Sequence, residues 1–221
     1  MYDILKKLQM EDNSREKTQQ LSKSLTETIK NSELTKISGD LLEVGIDSVL
    51  KEGLLKDIPG INIINGIWNT GVAIRDYRFL NKLLLFLHES SKLPLEKRLK
   101  LIDDLEESNF QKEAGEKLIS IIDNLETSSK AILIGKLLNL FGQNTINRDE
   151  FWRISFVIEK LPMSDILALK YWRDNDLNKV EHVRKHLYLS VGLGWFVLNA
   201  SSTGFVWTKR LCEIFSDNLI E

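Results

Sequence analysis

Apolar residues recur every three or four positions through residues 77–142, in segments separated by short polar links. This spacing places the apolar side chains of each segment on one face of a helix. Pro94 opens one segment, at a position where its missing N–H is tolerated. We predict three or four amphipathic helices in an antiparallel bundle. The apolar residues that mark them are Leu80, Leu83, Leu84, Leu87, Leu99, Leu101, Ile102, Leu105, Leu118, Ile121, Ile122, Leu125, Ile132, Leu133, Leu137, Leu138 and Leu140.

Upstream of the bundle, residues 13–38 are polar and charged, with a narrow apolar stripe of Leu21, Leu25 and Ile29. The stripe predicts a helix with two interpretations: it docks on its own domain, or it pairs with a helix of another chain. Residues 40–55 carry a broader apolar face, which predicts a helix that packs against a large surface.

Residues 58–74 form an unusual segment without a charged side chain. On a helix, small and amide side chains would lie along one side and bulky apolar ones along the other. A stripe of small residues allows another helix to approach closely, in soluble cores and in lipid alike. The segment is either a buried helix or a membrane-inserting one, and its asparagines favour burial because each would need a partner in hydrocarbon. The candidate helix-packing or membrane residues are Asn62, Gly66, Asn69, Thr70 and Ala73.

The end of the sequence has a second uncharged stretch, at residues 187–208. Two aromatic and β-branched runs, 195–198 and 205–208, flank turn-forming residues at 199–204, which is typical of two antiparallel strands. Thr208 is a candidate N-cap for a following helix that begins at Lys209. With a helix before the strands, this order predicts the end of a winged-helix-like module.

Three helices are predicted before the hairpin, at about residues 149–161, 164–173 and 178–193. Ser164 is the candidate N-cap of the second. Glycine and asparagine at 142–145 follow an apolar helix and mark the best interior break. The predicted units are a polar helical segment at 1–38, a helical bundle at 39–143 and a winged-helix-like module at 144–221.

The predicted fold class is mainly α: an antiparallel helical bundle with a C-terminal winged-helix-like module that contains one β-hairpin. Ile58-Pro59-Gly60 and the run from Ala73 to Leu84 resemble a segment of uncharacterised bacterial helical proteins, in which it precedes such a module. The resemblance implies a bacterial protein with a link to phage defence and no assigned activity. Winged helices bind nucleic acid in some proteins and only protein surfaces in others, so the architecture leaves function open.

Composition narrows the class of protein. Of the 221 residues, 43% are hydrophobic and 28% charged, as in ordinary globular proteins. The formal net charge of −2 gives no overall attraction to nucleic acid or anionic lipid. A single cysteine, Cys212, excludes an internal disulfide and suits a reducing compartment, so we predict a cytoplasmic location.

Sequence patterns for catalysis and cofactor binding are incomplete. Gly66 to Gly71 has the glycine spacing of a phosphate loop but lacks the lysine and hydroxyl residue that should follow. His182 and His186 are four apart on a predicted helix, but no third metal ligand is evident. Cys212 fits a small packed thiol in an amphipathic helix. We predict no catalytic residue, no cofactor and no metal, and therefore a non-enzymatic protein.

Basic residues near the predicted hairpin are the best candidates for contact with nucleic acid or a partner protein. Residues 146–221 hold ten Lys and Arg against ten Asp and Glu, unlike a typical DNA-binding domain. The predicted turn carries no cation for a phosphate. The candidate contact residues are Lys179, His182, Arg184, Lys185, Lys209 and Arg210.

These patterns favour a cytoplasmic interaction or regulatory protein that acts through protein contacts, with self-association expected. Two alternatives stay open: a membrane-perturbing effector that exposes residues 58–74 on activation, and a winged-helix DNA-binding regulator.

Overall fold

The computed structural model describes residues 19–37, 74–105, 113–174, 180–199 and 202–220. These residues are mainly helical, with one antiparallel hairpin late in the sequence, so the predicted bundle with a hairpin is confirmed. The elements are α1 (19–29), α2 (Ile74–Ser91), α3 (Leu95–Leu105), α4 (Glu113–Asn124), α5 (Ser128–Gly142), α6 (Arg148–Lys160), α7 (Met163–Ala168), α8 (His182–Ser190), β1 (Gly194–Asn199), β2 (Ser202–Trp207) and α9 (Lys209–Ile214). Short 3-10 helices cover Ser32–Lys36 and Leu169–Asp174, and a π-helical turn covers Phe215–Leu219.

Helices α2 and α5 form the most extensive helix pair in the described part of the chain. Gly135 permits their close approach, because a Cβ added there would lie 2.5 Å from the Cβ of Glu89 and 3.0 Å from the carbonyl oxygen of Phe86. Most of the apolar residues that mark the predicted helices are buried between these helices and their neighbours. Ile121, Ile132 and Leu140 are half-buried, and Leu99 is exposed.

Helix α1 docks on its own chain. Leu25 and Ile29 are buried in the main core, and Leu21 packs against it. A Cβ added at Gly115 of α4 would lie 2.4 Å from the Oγ of Ser22, so these two helices approach closely. The first interpretation of the stripe is therefore confirmed for residues 19–29. The predicted helix at 40–55 and the uncharged segment lie outside the described residues, including Asn62, Gly66, Asn69, Thr70 and Ala73.

Helix α3 corrects the prediction at one position. Leu99 is 47% exposed, whereas the preceding Arg98 is only 1% exposed. Arg98 Nε donates to the carbonyl of Leu93, and Nη1 donates to the carbonyls of Ile29 and Asn31. The last carbonyls of a helix lack partners within it, so this guanidinium caps the end of α1. These bonds compensate the burial of a charge and leave the leucine at the surface.

The predicted helix at 164–173 begins earlier and changes type. Ser164 lies inside α7 and does not cap it; Pro162 occupies the N-cap position, and its carbonyl accepts from the amides of Asp165 and Ile166. From Leu169 the chain continues as a 3-10 helix. The proline presets an extended backbone before the first turn, which moves the start of the helix one residue upstream.

Helix α8 is shorter than the predicted 178–193. Its N-cap is Glu181, and it ends at Ser190. Gly192 has a φ of 78°, and the amide of Leu193 donates to the carbonyl of Tyr188, which is the bonding pattern of a glycine-ended helix. Glycine ends this helix because few other residues adopt a positive φ without strain.

The hairpin has longer strands than predicted. Strand pairing runs from Gly194 with Trp207 to Asn199 with Ser202, so residues assigned to the turn belong to the strands. Thr208 stands at the N-cap position of α9, but its Oγ1 donates to the carbonyl of Gly192 instead of capping the helix.

The break at 142–145 is real at the level of secondary structure. Helix α5 ends at Gly142, and Asn144 has a φ of 60°. Asn147 then forms a capping box with Glu150 at the start of α6. One continuous core of buried residues extends from α1 to the π-helical turn. The division into units at 1–38, 39–143 and 144–221 stays a prediction.

Candidate partner-binding surface of the hairpin

The inner face of the hairpin is an aromatic cluster. Phe196 and Phe205 lie opposite each other, with ring centroids 5.5 Å apart, and Trp207 lies 5.1 Å from Phe205. Tyr188 of α8 packs 5.2 Å from Trp207, and His186 lies 5.8 Å from Phe196. Side chains alternate between the faces of a strand, so these aromatic residues hold one face of the hairpin on α8. The cluster fixes the orientation of the opposite face.

The outer face, defined by Trp195, Val197 and Val206, is apolar and partly exposed. Trp195 and Val206 are directly opposite in the strand register and are 48% and 39% exposed. Val197 is half-buried. An aromatic and a β-branched residue in a cross-strand pair stabilise a hairpin, yet a half-exposed tryptophan is uncommon on a surface that contacts only water.

A cleft of about 780 Å³ follows strand β2. Its lining residues are Trp172, Arg173, Phe205, Val206, Trp207, Lys209 and Glu213. The indole nitrogens of Trp172 and Trp207 are buried and have no hydrogen-bond acceptor. Buried indole N–H groups usually have a partner, so two that lack one beside the same cleft are unusual.

The predicted basic residues are largely engaged within the chain. Arg184 Nε lies 3.0 Å from a carboxylate oxygen of the buried Asp165. Arg210 Nε donates to Glu150 at 2.9 Å and its Nη2 donates to the carbonyl of Thr145. The structure therefore places both arginines in intramolecular contacts.

The other candidate contact residues that the structure describes do not form a single patch with the two arginines. Lys209 is 3.8 Å from Glu213, His182 is exposed and Lys185 is half-buried on α8. Lys179 lies outside the described residues.

The Arg210–Glu150 pair perturbs both groups. Burial acts to raise the pKa of Glu150, but hydrogen bonds from Arg210 and from the Asn147 amide outweigh it and lower that pKa. The hydrogen bond to Glu150 raises the pKa of Arg210. The pair joins the start of α6 to the start of α9.

His186, a candidate metal ligand, and Cys212, a candidate nucleophile, both pack against other residues of the chain. His186 packs against Phe196, as described above, and the described residues contain no group of three His, Cys, Asp or Glu side chains that could hold a metal ion. Cys212 is fully buried, and this burial raises its pKa to about 12. A thiol that stays protonated is a poor nucleophile, so the packed thiol predicted from the sequence is confirmed.

Sequence reasoning missed three buried cations. Lys82 donates to the carbonyls of Asp123 and Leu125 at the end of α4, and Lys130 donates to the carbonyl of Glu159 near the end of α6. Arg98 does the same for α1. All three side chains hold helix ends and none lines the cleft of β2. A basic residue inside an apolar stripe is the sequence signal that could have indicated them.

No protein-family model, curated protein or solved structure matches this chain. Within the described ranges, no helix combines the length and apolar character that crossing a bilayer requires.

Proposed function

We propose that this protein is a non-enzymatic cytoplasmic interaction protein that binds another protein through the outer face of its hairpin. The observation that carries this proposal is the exposed cross-strand pair of Trp195 and Val206. Tryptophan is enriched among residues that dominate binding energy, because it buries a large rigid surface at low entropic cost. The winged-helix-like order of residues 144–221 is part of this proposal and presents the hairpin as its binding element.

Protein is favoured over DNA as the partner by the state of the basic residues. A DNA contact needs cations that can neutralise phosphates. Arg184 and Arg210 are paired with Asp165 and Glu150, so a phosphate would have to displace a carboxylate from each. The outer face itself contributes apolar side chains, which suit a protein surface better than a phosphate backbone.

The test compares Trp195→Ser with Phe156→Ser in the full chain. Phe156 is 46% exposed on α6, so it matches Trp195 in exposure but not in position. The immobilised variants are incubated with lysate of the source cells, and bound proteins are quantified by mass spectrometry. We expect a partner retained by wild type and Phe156→Ser and reduced at least about tenfold by Trp195→Ser. Equal retention by all three proteins would exclude the outer face as the contact.

Self-association is measured in parallel by light scattering of the same three proteins over a range of concentrations. A wild-type oligomer that Trp195→Ser converts to a monomer would identify a second copy as the partner. Mobility shift with duplex DNA at low salt tests the regulator alternative, and any shift should be lost in Lys185→Ala if that alternative holds. Release of dye from anionic vesicles tests the membrane alternative.

A further inference from the structure

We propose that the cleft along β2 binds an extended peptide carrying an acidic residue, which adds to the hairpin as a third strand. This inference rests on the proposed function and names the chemistry of a partner segment. It concerns the edge of β2, whereas the proposed function concerns the outer face.

The lining of the cleft shows that it follows an edge of the sheet. Phe205, Val206 and Trp207 are consecutive residues of β2, and all three line it. Consecutive side chains of a strand point to opposite faces, so a cleft bordered by all three residues fits the edge of the strand, where the main chain of each is reached. It therefore runs along the edge of β2, with Trp172 and Arg173 of the preceding 3-10 helix among its walls.

The phase of the hydrogen bonds shows which backbone groups reach this edge. The amide of Thr208 donates to the carbonyl of Leu193 at 2.8 Å, one step beyond the paired residues Gly194 and Trp207. Bonded and non-bonded pairs alternate in an antiparallel ladder, so Val206 faces β1 while the backbone groups of Phe205 and Trp207 point the other way.

Within the described part of the chain, no third strand pairs with that edge. The sheet there has two strands, and no described residue forms a backbone hydrogen bond with Phe205 or Trp207 from a third element. An open strand edge pairs readily with an added strand, and several peptide-binding domains use this mode. A peptide strand supplies the alternating N–H and C=O groups that this edge lacks.

The side chains around the edge favour a peptide with a carboxylate. Two cations line the cleft: Arg173 is held by Asp217 at 2.7 Å, whereas the side chain of Lys209 is 78% exposed. The contact between Lys209 and Glu213 is loose at 3.8 Å, so Lys209 can turn to an incoming acid. Carbonyl oxygens of the peptide could also accept from the indole N–H groups of Trp172 and Trp207 after small side-chain movements.

The experiment begins with a library of random dodecapeptides displayed on phage and selected on the full chain. We expect the selected peptides to have β-branched residues at alternate positions and to carry Asp or Glu. The best peptide is synthesised in three forms: unmodified, and N-methylated at alternate residues in each of the two registers. Only one register of amides faces an added-strand partner, so we expect one N-methylated form to lose about tenfold in affinity and the other to keep it.

Hydrogen exchange and charge variants locate the bound peptide. We expect the unmodified peptide to slow exchange of the Phe205 and Trp207 amides and to leave that of Val206 unchanged. Lys209→Glu should weaken binding about three- to tenfold, whereas Lys160→Glu, a half-exposed lysine of α6, should not.

Several outcomes would overturn the inference. They are failure to enrich any peptide, equal loss with both N-methylated forms, or displacement of the peptide by oligothymidylate. Protection of the Phe205 and Trp207 amides that rises with protein concentration alone would assign the edge to a second copy. A partner lost in Trp195→Ser but no selected peptide would leave the proposed function standing and remove only this inference.

Discussion

The guanidinium of Arg98 donates to the carbonyl oxygen of Ile29 at 2.7 Å, across a sequence separation of 69 residues. This bond joins α3 to the end of α1 inside the core. It accounts for the burial of a charged side chain, only 1% exposed.

Arg98→Met should reduce the free energy of unfolding by about 3 kcal/mol, because three carbonyl groups lose a charged donor in a buried site. Urea unfolding followed by circular dichroism measures the loss. Lys97→Met changes an exposed neighbour on the same helix and should alter stability by less than about 0.5 kcal/mol. Similar stabilities for the two variants would contradict the capping role.

Gly135→Ala should destabilise the protein by about 1–3 kcal/mol, because its new methyl group would meet Glu89 and the Phe86 carbonyl at the contact of α2 with α5. Gly204→Ala is the control, since nothing lies within 4 Å of a Cβ at that exposed strand position. Thermal unfolding measures both. A harmless alanine at position 135 would show that α2 and α5 can separate without cost.

Ser155→Ala should leave stability unchanged or raise it by up to about 1 kcal/mol, because the buried Ser155 hydroxyl has no hydrogen-bond partner. Ser90→Ala should lower stability by about 1 kcal/mol, since the equally buried Ser90 hydroxyl donates to the carbonyl of Phe86. Urea unfolding of the two variants gives the comparison, and equal losses would refute it.

Acid should weaken the contact between α6 and α9. The pKa of Glu150 is lowered in the folded state, so its contribution to stability is present above the unfolded pKa and is lost as pH falls through the folded one. Arg210 is half-exposed, so we expect a contribution below about 1 kcal/mol. Arg210→Gln should flatten the dependence of unfolding free energy on pH between about 5 and 3. An unchanged slope would contradict the pairing.

Cys212 should resist alkylation by iodoacetamide at pH 8 in the native protein, because burial raises its pKa to about 12 and excludes the reagent. In urea above the unfolding midpoint, labelling should proceed at the rate of a small thiol. Mass spectrometry over time follows the reaction. Rapid labelling of native protein would show that the core around α9 opens readily.

The helices of the bundle were predictable because most of their apolar residues contact one another, and periodicity reports such contacts directly. The hairpin was also predictable, since its aromatic and β-branched runs suit a strand. Its turn was placed too broadly because serine, threonine and asparagine are favoured in turns, while here the pairing of Asn199 with Ser202 uses them in strands. Strand pairing outweighed the turn preference of these residues.

The surroundings of charged residues could not be read from the sequence. Arg184 and Arg210 resemble free surface cations until the fold brings Asp165 and Glu150 beside them. Likewise, nothing in the order of residues reveals that a neighbouring helix ends next to Arg98. The open edge of β2 depends on register and hydrogen-bond phase, which the amino-acid order alone does not give.

The buried cations affect how the protein unfolds. Lys82, Arg98 and Lys130 each belong to one helix and satisfy the end of another. Separation of α1, α4 or α6 alone would remove main-chain acceptors from an ammonium or guanidinium group that is buried in the core. Local unfolding of one helix therefore has a high free energy. We expect these helices to unfold together in a single cooperative step.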